Sequence, residues 1–177
     1  LQSSPPLVTQ TTSYATPSIK GIAPEVLQTD GTTSITLTGD NFGPRSALNF
    51  VNVTYRSINS TNANITNTEH KAIKCVVVKP HRTVECDSSA EGIGGGLSFD
   101  ITVGAQRSNR SLVTISYAEP NVYNLAPVGS LRTIGGDRIT ITGDNFGPSH
   151  FAYNLPLVYY RTAPGTADAT DLALLQK

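Results

Sequence analysis

Short stretches in which apolar and polar residues alternate recur along the chain and are separated by Gly, Pro and Asn. In TSITLTGDNF, Ile35 and Leu37 alternate with polar residues, which is the period of two expected of a strand with one buried face. The pattern returns at Ile139 and Ile141. Short strands this closely spaced predict an all-β protein built from β-sandwiches. Further strands are predicted at SIKGIAP (18–24), LNFVNVTYRS (48–57), KAIKCVVVK (71–79), RTVECD (82–87), LSFDITVGAQ (97–106) and SLVTISYAEP (111–120).

The chain also contains an internal repeat. ITLTGDNFGP (35–44) returns as ITITGDNFGP (139–148), and SYATPSIKGIAP (13–24) returns as SYAEPNVYNLAP (116–127). The spacing of about 104 residues is the size of a small domain rather than of a solenoid repeat. The sequence therefore predicts tandem sandwiches. Their expected parts are a segment 1–16 resembling the last strand of a preceding repeat, a complete first unit (17–118) and a partial second unit (119–177).

The repeated GDNFG is predicted to be a structural turn at the end of a strand. Its glycines supply backbone freedom, its Asp and Asn side chains hydrogen-bond the turn, and its Phe covers the open end of the sandwich. A calcium loop is the alternative, but one carboxylate and one amide are a poor ligand set for an ion that takes six to eight oxygens. The turn residues are Gly39, Asp40, Asn41, Phe42 and Gly43, and in the second unit Gly143, Asp144, Asn145, Phe146 and Gly147.

These stretches resemble the IPT/TIG domain family. PSIKGIAPEVLQTDGTTSITLTGDNFGP (17–44) and PNVYNLAPVGSLRTIGGDRITITGDNFGP (120–148) are similar to the openings of such domains, and residues 75–106 are similar to their later strands. The resemblance covers residues 17–177 and implies immunoglobulin-like sandwiches of the early (E-set) type. It implies no single function, because such modules occur in cell-surface receptors, adhesion proteins, carbohydrate-active enzymes and one class of transcription factors.

The only two cysteines, Cys75 and Cys86, flank a predicted hairpin that turns at Lys79, Pro80 and His81. The hairpin would bring the two sulfurs together, so we expect a disulfide. Its expected contribution is about 2–3 kcal/mol in the chain-entropy estimate, and it favours an extracellular or cell-surface location. Free buried thiols are the alternative, and a metal site is disfavoured because only His81 lies nearby.

Four sequons predict N-linked glycans: Asn52 in NVT, Asn59 in NST, Asn64 in NIT and Asn109 in NRS. None of them contains the proline that blocks modification. Glycans at these positions would solvate a strand edge and prevent stray strand pairing. The sequons therefore favour the same extracellular location as the disulfide.

The sequence predicts no catalytic, cofactor or metal site. His70, His81 and His150 lie in separate contexts without the spacing of a nucleophilic or metal arrangement, and each is expected at the surface. GIGGG (92–96) lacks the following helix, Lys and Ser/Thr of a phosphate loop and is predicted to be a flexible turn. The protein is therefore not expected to be an enzyme.

Charge and hydropathy exclude further classes. Thirteen basic and thirteen acidic residues cancel, so no general attraction to nucleic acid or anionic membranes is expected. No apolar run reaches the 18 residues of a membrane span, and a chain starting at Leu1 is expected to be an excised or mature fragment. Basic residues are too scattered for the DNA-binding branch of the family. They include Arg45, Arg56, Lys71, Lys74 and Lys79.

We therefore expect a non-catalytic structural or adhesive extracellular glycoprotein. The alternatives are an ectodomain fragment of a cell-surface receptor and an accessory module of a secreted carbohydrate-active enzyme. Close similarity of the two copies and a short joint at Glu119 and Pro120 favour an array that forms a semi-rigid rod. The expected partner is the protein itself, as a homopolymer or a longer repeat array, and no nucleic acid.

The segment before the first unit suggests a mode of assembly. LVTQTTSYA (7–15), which includes Leu7, Val8 and Tyr14, resembles the final strand of a unit. A neighbouring chain could accept this segment as a donated strand that helps to complete its partial second unit. Repeated head to tail, such contacts would build a filament.

Glycosylation gives the first prediction. Enzymatic deglycosylation of protein from its native eukaryotic source should remove mass and convert Asn to Asp at one or more of the sequons. Peptide mass spectrometry identifies the converted positions. Protein in which Asn52, Asn59, Asn64 and Asn109 all remain unconverted would contradict the extracellular interpretation.

Overall fold

A computed structural model of the chain describes residues 13–45, 51–58, 68–148 and 158–160. All regular secondary structure within these ranges is β, which confirms the predicted all-β class. The strands are β1 (Ser18–Ala23), β2 (Val26–Leu27), β3 (Ile35–Asp40), β4 (Val51–Ser57), β5 (His70–Lys71), β6 (Ile73–Lys79), β7 (Thr83–Ser88), β8 (Leu97–Val103), β9 (Gln106–Arg107), β10 (Thr114–Tyr117), β11 (Asn121–Ala126) and β12 (Thr140–Asp144).

The alternation along β3 appears directly in its burial. Ile35 and Leu37 are fully buried. The threonines that alternate with them are half-buried (Thr36) and exposed (Thr38). The other long strands of the first unit lie within the stretches predicted from the sequence, except that β7 extends one residue past its predicted stretch, to Ser88. The strands β2, β5 and β9 were not predicted, because two residues are too few to display a period.

Two sheets pack face to face in the first unit. One sheet has the order β1-β3-β7-β6, and the other has the order β2-β10-β8-β4-β5, with β9 beside β8. Neighbouring strands are antiparallel except β2 and β10, which are parallel. The shared core confirms the immunoglobulin-like sandwich. Its buried residues include Ile22, Leu27, Ile35, Leu37, Phe42, Val53, Tyr55, Val84, Leu97, Phe99, Ile101, Ile115 and Tyr117.

Beyond β9, an irregular segment continues the pairing along β8. Ser108 N–H donates to the Ile101 carbonyl (2.8 Å), and Ser111 N–H donates to the Phe99 carbonyl (2.7 Å). In return the Ser108 and Ser111 hydroxyls accept bonds from the amides of Ile101 (3.0 Å) and Phe99 (2.9 Å). Two serines thus satisfy the buried edge of β8 where a regular strand is missing.

A disulfide joins Cys75 to Cys86, as predicted. The two residues lie opposite each other on the antiparallel strands β6 and β7, and Cys86 is buried in the core. The bond therefore ties an edge strand to its neighbour within the first sheet.

The two strands described in the second unit form a hairpin, β11–β12, that repeats the pairing of β1 with β3. Ile22 lies opposite Leu37 in the first hairpin, and Leu125 lies opposite Ile141 in the second. Both hairpins also have a register irregularity near the start of their first strand. The sequence repeat is therefore also a repeat of backbone register.

Reducing the disulfide should destabilise the first unit. The expected loss in free energy of unfolding is about 2–3 kcal/mol, because the reduced chain regains loop entropy when it unfolds. Thermal denaturation followed by circular dichroism, with and without reductant, measures the effect. A C75A/C86A variant serves as the control and should not respond to reductant. Two freely alkylated thiols in the native protein would contradict the assignment.

Candidate functional site

The first GDNFG turn depends on a close approach of two backbones. A Cβ at Gly39 would lie 1.9 Å from the Ser18 carbonyl oxygen and 2.6 Å from the Phe42 ring, so only glycine fits where β1 meets β3. Asn41 and Gly43 have positive φ angles of 62° and 81°, a conformation that Asn and Gly adopt most readily. The residue types of the motif follow from this geometry.

Backbone hydrogen bonds join this turn to the turn between β6 and β7. Gly39 N–H donates to the Arg82 carbonyl (2.9 Å) and Phe42 N–H to the His81 carbonyl (3.3 Å). His81 N–H donates to the Gly43 carbonyl (2.7 Å). These bonds hold the Phe42 ring in the core, where it is fully buried. The turn thereby closes one end of the first sandwich.

The polar residues of the first turn are engaged in contacts within the protein. Asp40 forms ion pairs with Lys20 and Arg82. The hydrogen bond from Lys20, together with both positive charges, lowers the pKa of the Asp40 carboxyl. The Asn41 amide donates to the Thr16 carbonyl (3.0 Å). Across the described ranges, no three His, Cys, Asp or Glu side chains are grouped so that they could hold a metal ion.

The second turn has the same backbone geometry. A Cβ at Gly143 would lie 1.9 Å from the Asn121 carbonyl oxygen and 2.7 Å from the Phe146 ring. The φ angles of Asn145 and Gly147 are 59° and 93°. The same motif therefore adopts the same turn in both units, although within the described residues no strand pairs with β12 as β7 pairs with β3.

The two hairpins differ in what covers them. Phe42 is fully buried, whereas its counterpart Phe146 is 40% exposed. Asp144, which corresponds to the ion-paired Asp40, accepts a hydrogen bond from the Tyr123 hydroxyl, and this bond raises the pKa of Tyr123. The apolar face of the second hairpin is thus open within the described residues. It includes Val122 (54% exposed), Leu125 (51%) and Ile139 (43%).

A short joint brings the second hairpin against the end of the first unit. The link between β10 and β11 is Ala118–Pro120. The Thr29 hydroxyl lies 3.5 Å from Asn145 Oδ1, and a Cβ at Gly147 would lie 2.9 Å from Ile93 Cγ2. The turn of the second unit therefore contacts loops of the first unit directly.

An apolar groove of about 890 Å³ lies between the Gly-rich loop of the first unit and the second hairpin. It continues the open hairpin face described above. Its apolar lining includes Ile93, Pro120, Val122, Ile139, Ile141 and Phe146. We name this surface the junction groove.

The Gly-rich loop covers a buried pair of tyrosines. The hydroxyls of Tyr55 and Tyr117 lie 3.0 Å apart. Ala90 N–H donates to the Tyr55 hydroxyl (2.8 Å), and the Tyr117 hydroxyl donates to the Ala90 carbonyl (2.8 Å). Burial raises the pKa of both tyrosines. A Cβ at Gly92 would lie 2.5 Å from the Tyr117 oxygen, so this loop packs on the core and needs glycine there.

The expectation of three surface histidines is wrong for His70. Its ring is buried and stacks on Tyr55, with ring centroids 5.2 Å apart. Burial lowers the pKa of His70. His81 is exposed, and His150 lies outside the described residues. His70 was missed because its strand, β5, is too short to show which side chain faces the core.

The tyrosine pair has counterparts elsewhere in the sequence. Tyr14 occupies the place of Tyr117 in the repeated SYA, and VYYR (158–161) is similar to VTYR (53–56), so that Tyr160 corresponds to Tyr55. Tyr14 is 91% exposed and Tyr160 is 86% exposed. The repeat therefore shows in the sequence which tyrosines correspond to Tyr55 and Tyr117. That these two side chains form a hydrogen-bonded pair is known only from the structure. The other two residues of the predicted assembly strand, Leu7 and Val8, lie outside the described residues.

The predicted glycosylation sites differ in their surroundings. Asn109 is exposed in the loop after β9. Asn52 is half-buried on β4, and its Oδ1 is buried without a hydrogen-bond partner among the described residues. Asn59 and Asn64 lie outside the described residues.

Two comparisons bear on the nature of the chain. Residues 17–117 match the family described as IPT/TIG domain. A search among curated proteins found no match. Within the described ranges, no helix is long and apolar enough to cross a membrane.

Replacing the close-approach glycine should destabilise the first unit. Gly39→Ala pushes a methyl group into the Ser18 carbonyl, and we expect a loss of at least about 2 kcal/mol. Urea denaturation followed by tyrosine fluorescence measures the free energy of unfolding. Thr38→Ala, on an exposed position of the same strand, is the matched control. A G39A variant as stable as T38A would refute the role assigned to this glycine.

Proposed function

The chain belongs to the IPT/TIG domain family, and we propose that it is a non-catalytic structural and adhesive part of an extracellular glycoprotein, in which such sandwiches follow one another end to end. One observation carries the proposal. The second hairpin repeats the register of the first and contacts the end of the first unit. Similar openings joined by so short a link are typical of an array rather than of two unrelated domains.

The joint supports a semi-rigid rod. Ala118 N–H donates to the Leu27 carbonyl (2.7 Å), so the link is held to the first unit at its first residue. Pro120 has a fixed φ angle and begins the second unit with little slack. Gly147 also packs closely on the first unit, because a Cβ there would lie 2.9 Å from Ile93 Cγ2. Bending between units would have to break these contacts.

The open face of the second hairpin supports end-to-end completion. In the first unit, β7 pairs with the outer edge of β3, and the opposite sheet covers its apolar face. In the second hairpin, within the described ranges, the apolar face is exposed and no strand pairs with the outer edge of β12; both features favour association. We propose that a second sandwich covers the junction groove and the hairpin face in the assembled protein.

The location proposed for this rod is extracellular or at the cell surface. The Cys75–Cys86 disulfide is typical of oxidising compartments. The four sequons suit the same location, and glycans at them would keep the sides of the rod soluble. Membership of the IPT/TIG family is consistent with an extracellular location but does not establish it, because one fold serves many functions.

Assembly of filaments by a donated strand is a second candidate, favoured by the exposure of Tyr14 and Tyr160. In the first unit, the corresponding tyrosines meet because β10 carries Tyr117 and β4 carries Tyr55. A donated segment 7–15 would take the position of β10, which lies beside β2 and β8. A strand in the position of β10 would not pair with the outer edge of β12. Completing the second sandwich therefore also requires strands in the positions of β7 and β8.

Self-association measured by sedimentation velocity tests the proposal. We expect the chain to associate with increasing concentration and Val122→Asp, in the junction groove, to prevent this. Val76→Asp is the matched control, because Val76 and Val122 are each 54% exposed and Val76 lies on the first unit. A chain that stays monomeric, or equal behaviour of the two variants, would contradict end-to-end association.

Deleting residues 1–16 then separates the two modes. Association that survives the deletion supports contact between open hairpin faces without a donated strand. Association that is lost supports donation by the segment containing Tyr14, which Tyr14→Asp should reproduce.

A further inference from the structure

A polar pocket of about 420 Å³ lies on the first unit, within the sheet that contains β4, β8 and β9. It shares no lining residue with the junction groove. Its residues come from parts of the chain that are far apart in sequence. They are Arg56, Glu69, Asp100, Arg107, Ser108, Asn109 and Arg110.

One arginine of the pocket is already neutralised. Arg107 donates from Nε and Nη2 to the two carboxylate oxygens of Asp100, at 2.8 Å and 2.7 Å. Asp100 is buried and also accepts from the Thr54 hydroxyl (3.0 Å). A second carboxylate, Glu69, lies 3.6 Å from Arg107 Nη2. The carboxylates of Asp100 and Glu69 therefore both lie beside the Arg107 guanidinium and neutralise it.

The other two arginines lack such partners. Within the described residues, no carboxylate pairs with Arg56 or Arg110. Nη1 of Arg110 is buried and has no hydrogen-bond acceptor there. In the sequence, the residues that follow Arg56 and Ile58, NSTNANITN (59–67), contain no Asp or Glu. Three guanidinium groups thus meet two carboxylates, and a buried N–H group without an acceptor is costly.

We propose that this pocket binds one oxyanionic group, sulfate or carboxylate, of an acidic saccharide. Arg56 and Arg110 supply the donors, because planar guanidinium groups match the oxygens of such anions. A single negative charge on the ligand cancels the excess positive charge of the pocket.

The lining favours a saccharide as the carrier of the anion. The volume is several times that of one water molecule, about 30 Å³, so it admits part of the carrier as well as the charged group. The remaining lining side chains, Ser108 and Asn109, are uncharged and polar. The Ser108 hydroxyl already bonds the Ile101 amide, so the exposed Asn109 amide is the group that suits a saccharide hydroxyl. The assignment goes beyond the proposed rod and does not depend on it, since the pocket lies wholly in the first unit.

Calorimetric titration of protein prepared without N-glycans tests the assignment, because a glycan on Asn109 would stand in the pocket wall. The probes are a sulfated heparin-type disaccharide, a galacturonate trisaccharide and inorganic sulfate. We expect saturable binding of at least one saccharide at one site. Arg56→Gln and Arg110→Gln should each weaken it about tenfold, since a hydrogen bond to a charged group contributes about that much.

Arg132→Gln is the matched control, because Arg132 forms an ion pair with Asp137 away from the pocket. The affinity of this variant for the saccharides should equal that of the parent chain. Preference between the two saccharides identifies the anionic group. Failure of both to saturate the protein, or affinity unchanged in both R56Q and R110Q, would overturn the site. Inorganic sulfate binding as tightly as either saccharide would overturn the saccharide assignment. Arg56→Lys provides a second, milder variant if Arg110→Gln does not fold.

Discussion

The apolar face of a β-hairpin is stable in water only when another layer covers it, and this requirement governs both units of the chain. In the first unit, the hairpin β1–β3 is covered by the opposite sheet and its outer edge pairs with β7. The GDNFG turn then closes the end of the sandwich by inserting Phe42 into the core. In the second unit, the same hairpin and turn are present while Phe146 remains partly exposed.

Several buried polar groups of the first unit are paired with one another or with the backbone. The tyrosine hydroxyls share the backbone of Ala90, and the buried carboxylate of Asp100 is satisfied by Arg107 and Thr54. Within the described residues, two larger surfaces have incomplete contacts: the junction groove, whose apolar lining is exposed, and the polar pocket, where Nη1 of Arg110 is buried without an acceptor. These are the two surfaces to which we assign binding.

The sequence predicted the features that depend on local pattern. Alternation at Ile35 and Leu37 identified a half-buried strand, and the repeat of GDNFG identified a turn whose glycine is enforced by backbone contact. Pairing of Cys75 with Cys86 followed from a short hairpin. In contrast, the burial of His70 and the convergence of Arg56 with Arg110 depend on how distant strands pair. No single stretch carries that information, because sheet neighbours here are separated by long intervals of sequence.

We infer that the second hairpin is the opening of a second sandwich. A chimera in which residues 45–118 follow Pro148 directly would supply that hairpin with the later strands of the first unit, since the two GDNFGP segments are identical. Amide hydrogen exchange measured by NMR compares β11–β12 in this chimera and in the parent chain. We expect protection of β12 in the chimera to rise to that of β3. Protection of β12 unchanged from the parent chain, in a chimera whose first unit is folded, would contradict it.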